Sequence, residues 1–232
     1  MTDARRPYFC TMEQEIIVTE DGSKTIYLPH LDETYHSSHG AIQEALHVFI
    51  MNGLEGVEEG EITIFEMGFG TGLNALLAYR FAKQTGKRVV YHGIEAFPVA
   101  LDVAKEMDYI SKLEADLNTV FEWMHSVEWD SELQFDELFT FKKVHAKIED
   151  YDVEVAKYDV IFYDAFGPRA QSDMWAPSIL EKMYNGTKEN KFLVTYCAKG
   201  QVKRDLKALG YTIEALPGPP GKREMTRAWK RP

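Results

Sequence analysis

Residues 62–74 read Ile-Thr-Ile-Phe-Glu-Met-Gly-Phe-Gly-Thr-Gly-Leu-Asn, an apolar run that breaks into glycine at every second position before apolar residues resume. Glycine lacks Cβ and so tolerates positive φ and close backbone approach. Gly68, Gly70 and Gly72 therefore mark a sharp turn between a strand at 62–67 and an amphipathic helix at 74–85. A second apolar run at 89–95 completes a strand-helix-strand unit. Such a unit implies parallel strands joined by a right-handed crossover, with ligands outside the carboxyl ends of the strands.

The spacing of the turn bears on the ligand. A dinucleotide fingerprint has Gly-x-Gly-x-x-Gly, whereas this chain has Gly68-x-Gly70-x-Gly72. Glu66, two positions before the first glycine, repels a pyrophosphate but suits the amino-acid end of S-adenosylmethionine. Glu95 closes the second strand, and its two carboxylate oxygens can accept hydrogen bonds from both ribose hydroxyls. The cofactor-binding candidates of this unit are Glu66, Gly68, Phe69, Gly70, Gly72, Asn74 and Glu95. A plain strand-to-helix turn is the alternative that the glycines alone leave open.

At 232 residues and 45% hydrophobic composition, the chain can bury one full-sized core. The expected organisation is a hairpin and helix over 1–56 packed on a main unit over 57–232 as one compact body. Two cysteines, Cys10 and Cys197, make no disulfide framework. Residues 1–15 offer no signal-peptide core, and no apolar run reaches the roughly 20 residues of a membrane span. A cytoplasmic protein without membrane contact is expected. A net charge of −11 argues against general affinity for nucleic acid, yet residues 193–232 carry nine basic and three acidic side chains. That local excess suits a polyanionic substrate; a solvated helix face and tail is the alternative.

Elsewhere, Asp21-Gly22 between apolar runs at 16–19 and 24–28 predicts an N-terminal β-hairpin. Helical spacing predicts helices at 40–51, 97–107, 113–128 and 201–209; strands are expected at 141–145, 158–164 and 192–197, with a closing antiparallel pair at 211–215 and 224–228. Alternating strands and helices imply an α/β fold with a mostly parallel, Rossmann-like sheet. Five segments should then meet at one crevice: 66–72, Glu95, 146–150, 164–169 and 197–200. In the third of these, Ile148 and Glu149 are candidates for the adenine, Ile148 against the ring and Glu149 or Asp150 toward its exocyclic amine; capping of a turn by either acid is the alternative.

Asp164 follows four apolar residues, Val160 to Tyr163, at the end of the strand expected at 158–164, and is followed by Ala165-Phe166-Gly167-Pro168-Arg169. Aspartate often caps helices, but the next helix signal begins near Ala176, so Asp164 is the catalytic candidate. Phe166 could stack on a base, Arg169 could meet a phosphate, and Tyr35 and Trp175 could border the pocket. Lys222 and Arg223, after the stiff Pro217-Gly218-Pro219-Pro220-Gly221 loop, are candidates for phosphate contact; the start of an exposed edge strand is the other reading. His36 and His39 lack companions for a zinc set, so no metal is expected.

These motifs together resemble a known family. Tyr35-x-Ser37-x-x-Gly40-Ala41-x-x-Glu44, the turn from Gly68 to Asn74, Glu95-Ala96-Phe97-Pro98, Asp164 through Trp175, and Gly221-Lys222-Arg223-Glu224-Met225 are similar to the methyltransferase part of the MnmC-type tRNA modification enzymes. The resemblance covers nearly the whole chain. It implies a class I methyltransferase fold, S-adenosylmethionine as donor, and the anticodon region of tRNA as partner, with no obligate protein partner. The implied reaction methylates the 5-aminomethyl group of a wobble (2-thio)uridine, giving 5-methylaminomethyl-(2-thio)uridine. Many members carry a second, FAD-dependent oxidoreductase domain, which this chain is expected to lack. Two departures are Ala146-Lys147-Ile148-Glu149 where the family has Gly-Asp near the adenine, and Gly167 where alanine is common.

An alkyl ammonium has a pKa near 10 and must lose a proton before it can accept a methyl group. With an ordinary carboxylate pKa, Asp164 is a weak base for this, so its expected role is chiefly to orient the amine. Two other classes stay open at this point: another enzyme using an adenosine-containing cofactor on the same scaffold, and a noncatalytic nucleic-acid-binding module.

Overall fold

The computed structural model describes residues 14–232, so Cys10 lies outside the described residues. Its centre is an eight-stranded sheet. β4 (Glu61–Met67), β5 (Arg88–Glu95), β7 (Phe139–His145), β8 (Tyr158–Tyr163) and β9 (Thr187–Thr195) form its parallel part. β10 (Tyr211–Pro217) and β11 (Glu224–Lys230) close one edge as an antiparallel pair, and β6 (Glu132–Asp136) lies antiparallel to β7 on the other. The strand order is β10-β11-β9-β8-β4-β5-β7-β6. The chain runs outward from β4 through β5 to β7, then returns to the other side of β4 with β8. The sheet therefore reverses its winding between β4 and β8, where ligand crevices form in open α/β folds.

Alternation along each strand distributes side chains between two cores. Ile62 and Ile64 of β4, with Val160 and Phe162 of β8, enter one; Phe65, Met67, Tyr158, Ile161 and Tyr163 enter the other. Both faces are covered, which explains strands that read as continuous apolar runs. The first face is covered by α1 (Ala41–Ala45), a π-helical turn (Leu46–Met51), α2 (Leu73–Thr85), α3 (Leu101–Glu106), α4 (Tyr109–Lys112) and α5 (Asn118–Ser126). The second is covered by α6 (Pro177–Gly186) and α7 (Gly200–Ala208). Phe162 lies 5.0 Å from Phe49 between ring centroids and joins the N-terminal helix to the sheet. Fully burying such a ring contributes about 1.5–3 kcal/mol.

The N-terminal hairpin forms with β1 (Glu15–Val18) against β2 (Lys24–Leu28). Asp21 accepts hydrogen bonds from the Ser23 amide and from the Thr19 and Ser23 hydroxyls. A short third strand, β3 (Glu33–Thr34), extends this small sheet and was not expected; two residues carry no readable alternation. β6 was also missed, because its exposed edge pattern resembles a loop. The helix expected at 97–107 begins only at Leu101, since Pro98 and the carboxylate-bound Phe97 amide hold the preceding chain in a bend. That expected at 113–128 starts as a 3-10 turn (Ala115–Leu117) before α5.

Candidate active site

The carboxyl ends of β4, β5, β7 and β8 surround a cavity of about 240 Å³. Its wall comes from 66–70, Leu73, Asn74, 94–97, 146–149, 164–166, Gln171 and Met174, with Tyr35 and His36 closing it from the N-terminal sheet. The segment 197–200, expected at the same crevice, does not line it. Cys197 is buried, and its carbonyl is held by the Thr226 hydroxyl at 2.7 Å on the far side of β8.

The glycine turn is shaped by its own hydrogen bonds. The amides of Gly68 and Phe69 donate to the Ile94 carbonyl at 3.1 and 3.0 Å, which fastens the turn to β5. Gly70 donates to Glu95 Oε2 at 2.9 Å, and the Phe97 amide donates to Glu95 Oε1 at 2.8 Å. Glu95 is thus held rigidly with lone pairs to spare on both oxygens. Gly68 has φ +91°, and a Cβ there would stand 3.0 Å from the Asp164 carbonyl oxygen. Gly72 is a correction to the expected cofactor contacts: it lies outside the cavity, and its missing Cβ makes room for His125 and Phe69, each 3.0 Å away. Phe69 lines the cavity with its ring buried against His125 and Phe141.

Asn74, on the first turn of α2, links the two central acids. Its Nδ2 donates to Glu66 Oε1 at 2.9 Å and to Asp164 Oδ2 at 2.8 Å. The amino side of the amide faces both carboxyl groups. Glu66 Oε2 and Asn74 Oδ1 are left buried without hydrogen-bond partners. Burial raises the pKa of Glu66 well above the usual carboxyl range, against the Asn74 hydrogen bond and reinforced by the nearby Asp164 charge. Burial likewise pushes Asp164 up to about 7, against the hydrogen bond from Asn74. The expected ordinary pKa of Asp164 is corrected accordingly: loss of water around the carboxyl makes it a proton acceptor near neutrality. Burial also raises Glu95.

At the mouth, the Tyr35 and Phe166 rings meet edge to face at 5.2 Å between centroids. Ile148 is buried in the wall and Glu149 sits exposed at its rim. Lys182 of α6, which sequence reading passed over, holds this turn by donating to the carbonyls of Ile148, Glu149 and Tyr151 at 2.9, 2.7 and 2.8 Å.

Several expected substrate contacts are occupied within the protein. Trp175 is buried rather than bordering the pocket, and its indole N–H donates to the Phe166 carbonyl at 2.8 Å. With the Tyr196 hydroxyl on the Ala165 carbonyl at 2.9 Å, it sets the path of the chain after Asp164. Trp175→Phe should leave the Phe166 carbonyl unpaired at a cost of about 1–3 kcal/mol in chemical denaturation; unchanged stability would contradict this role. Arg169 pairs with Glu33 at 3.2 Å and with the Asp32 carbonyl at 3.2 Å, tying the post-β8 loop to the N-terminal sheet. Lys222 pairs with Glu44 and sits 3.9 Å over the Tyr196 ring. Arg223 is 93% exposed, with Glu224 at 3.2 Å. The basic excess is partly neutralised, since Lys203 and Arg227 also bind Glu224 and Glu214. Their acidic partners lie on other elements or at separations that sequence periodicity does not mark. His36, assigned no role except as half of a rejected metal pair, lies in the cavity wall. No trio of His, Cys, Asp or Glu able to hold a metal occurs among the described residues.

The profile of a family described as S-adenosyl-L-methionine-dependent methyltransferase matches residues 104–231. The chain is 31% identical over 230 residues to the tRNA 5-methylaminomethyl-2-thiouridine biosynthesis bifunctional protein MnmC of Cupriavidus metallidurans, covering 92% of this chain and 33% of that protein. The same-named protein of Ralstonia nicotianae is 31% identical over 217 residues, with coverage of 88% and 33%. The chain thus spans about a third of the length of these curated relatives. Among solved structures, MNMC2 from Aquifex aeolicus superposes with a TM-score of 0.71 at 24% identity, covering 95% of this chain and 71% of that one. That likeness supports the class I fold. Because the family profile spans more than half of the sequence that builds this sheet and crevice, the chain belongs to the S-adenosyl-L-methionine-dependent methyltransferases.

Proposed function

We propose that this chain methylates the 5-aminomethyl group of a wobble uridine or 2-thiouridine in the anticodon region of tRNA. The observation that carries the reading is Asp164, aimed into the cofactor cavity beside an aromatic mouth and raised to a pKa of about 7. The names of the relatives support the same acceptor. No helix among the described residues is long and apolar enough to cross a membrane; a tRNA substrate places the reaction in the cytoplasm.

The cavity fits S-adenosylmethionine. Asn74 Oδ1, a buried acceptor without a donor, and the Glu66 carboxyl, which also has the Tyr91 hydroxyl beside it, match the N–H groups of its ammonium, and a cation there favours the ionised form of Glu66. Glu95 retains acceptor capacity for a ribose diol, and Ile148 offers an apolar wall for the adenine. When bound, the cofactor supplies a methyl group activated by its positively charged sulfur.

Asp164 accepts a proton from the substrate ammonium and releases it to water. Its raised pKa narrows the gap to the amine, and general-base help of this kind contributes typically 10²–10⁴-fold. Asn74 holds the receiving carboxyl in one orientation. The Tyr35 and Phe166 pair, already edge to face, offers the uracil an aromatic surface at the mouth, as proteins commonly hold splayed RNA bases on aromatic side chains. Arg223, exposed after the 217–221 loop, and Lys199, just before α7, serve phosphates outside the mouth. Arg169 and Lys222 act through the loops they tether.

The test is transfer of labelled methyl to tRNA from cells lacking the activity, followed by nucleoside analysis. Conversion of 5-aminomethyl-2-thiouridine to its methylamino form is expected. Absence of transfer despite tight S-adenosylhomocysteine binding would remove this acceptor.

A further inference from the structure

The cavity wall is strongly acidic. Glu66, Glu95, Glu149 and Asp164 face it, against only Lys147 and His36 as side chains able to carry positive charge. The cofactor nevertheless carries an α-carboxylate, which needs a donor once it leaves water. Within the glycine turn, the amides of Gly68 and Phe69 are committed to Ile94, that of Gly70 to Glu95, and that of Gly72 to the Phe69 carbonyl at 2.9 Å, which leaves the Thr71, Leu73 and Asn74 amides at the start of α2 as the backbone donors on this side of the cavity. The Asn74 side chain uses both of its amide hydrogens on carboxyl groups. Lys147 follows β7, two strands from the turn in the sheet order.

His36 lines the same cavity as the turn. Its backbone amide donates to Thr25 Oγ1 at 2.9 Å, fixing the residue to the N-terminal sheet. Its ring lies edge-on to Tyr109 at 6.3 Å, and the Tyr109 hydroxyl bonds Thr71 Oγ1 at 2.8 Å. The adjoining Tyr35 ring comes within 3.4 Å of the Cβ position of Gly70. The His36 Nδ1 is buried with no hydrogen-bond partner, a polar atom that folding alone does not explain.

We propose that the His36 imidazole donates a hydrogen bond to the α-carboxylate of S-adenosylmethionine. It secures the amino-acid end of the cofactor from the N-terminal sheet, opposite the acceptors that Glu66 and Asn74 offer to the ammonium. The bond needs an imidazole N–H but no full charge, consistent with burial holding the ring neutral. This assignment makes the N-terminal segment part of the cofactor site and is independent of the methyl acceptor.

Calorimetric titration of the wild type and His36→Phe with S-adenosylhomocysteine and with 5′-methylthioadenosine, which lacks the amino-acid moiety, tests the assignment. Phenylalanine keeps a flat ring against Tyr109 and removes the donor. S-adenosylhomocysteine should bind the variant roughly 10- to 100-fold more weakly, the range for a hydrogen bond to a charged group. Affinity for 5′-methylthioadenosine should remain within about twofold, which also shows that the variant is folded. Equal weakening of both ligands, or unchanged affinity for S-adenosylhomocysteine, overturns the assignment. Failure of the wild type to bind S-adenosylhomocysteine overturns it together with the cofactor assignment, whereas failure of methyl transfer to tRNA alone leaves it standing.

Discussion

Asp164→Asn is expected to lower methyl transfer by about 10²–10⁴-fold while leaving S-adenosylhomocysteine affinity within a few fold. Asparagine keeps an oxygen for the 2.8 Å hydrogen bond from Asn74, so the site retains its shape and loses only the proton acceptor. In the wild type, kcat/KM should rise through an acid limb centred at about 7, where Asp164 becomes ionised in the free enzyme. The limb should vanish from the residual activity of the variant.

The same shift has a consequence for stability of opposite sign to that of a salt-bridged acid. Asp164 binds its proton more tightly in the folded protein, at about 7, than at its ordinary 3.8. Between those values the folded state holds more protons, and its stability falls as pH rises. Above about pH 7 the penalty is complete. Asp164→Asn should therefore be more stable than the wild type at pH 8, by on the order of a few kcal/mol, with the difference shrinking toward pH 4. Urea denaturation at the two pH values measures it. Near wild-type turnover in this variant would dismiss Asp164 as the proton acceptor, and equal stabilisation at both pH values would show that its carboxyl is not desolvated.

The second large effect is expected at Gly68. Gly68→Val should abolish measurable S-adenosylhomocysteine binding, at least a 100-fold loss, and lower the melting temperature. At φ +91° a β-branched residue is strongly disfavoured. Its Cβ would meet the Asp164 carbonyl oxygen at 3.0 Å, and Asp164 is itself tied by its amide to the Met67 carbonyl at 3.1 Å. Relief of the clash must separate the ends of β4 and β8 and displace the catalytic acid. Gly70→Ala should be milder. Its φ of +52° lies in the left-handed region, and the nearest obstacle is the edge of the Tyr35 ring at 3.4 Å, which can swing away. Isothermal titration of both variants decides the order; wild-type affinity in Gly68→Val would mean that the turn tolerates a side chain facing β8.

Legibility in the sequence followed the range of the interactions. The glycine turn, Glu95 and Asp164 could be read because strand alternation and positive φ act over a few residues. Glu66 and Asn74 were readable as members of the turn, but their link through one amide joins residues 90 positions apart in the case of Asn74 and Asp164. Trp175 offered no local sign that its indole belongs under the Phe166 carbonyl. Arg169 and Lys222 read as free cations because Glu33 and Glu44 come from the N-terminal region, 136 and 178 residues away.

The sequence by itself therefore determined the class of fold, the strand ends that carry chemistry and the kind of cofactor, since each rests on periodicity or on residues without Cβ. Tertiary structure decided which charges remain available. It paired Arg169 and Lys222 with acids, buried Trp175, turned Gly72 away from the cavity and brought His36 into it. It also decided the strength of Asp164 as a base, because desolvation is a property of everything packed around a carboxyl group and of none of its sequence neighbours alone.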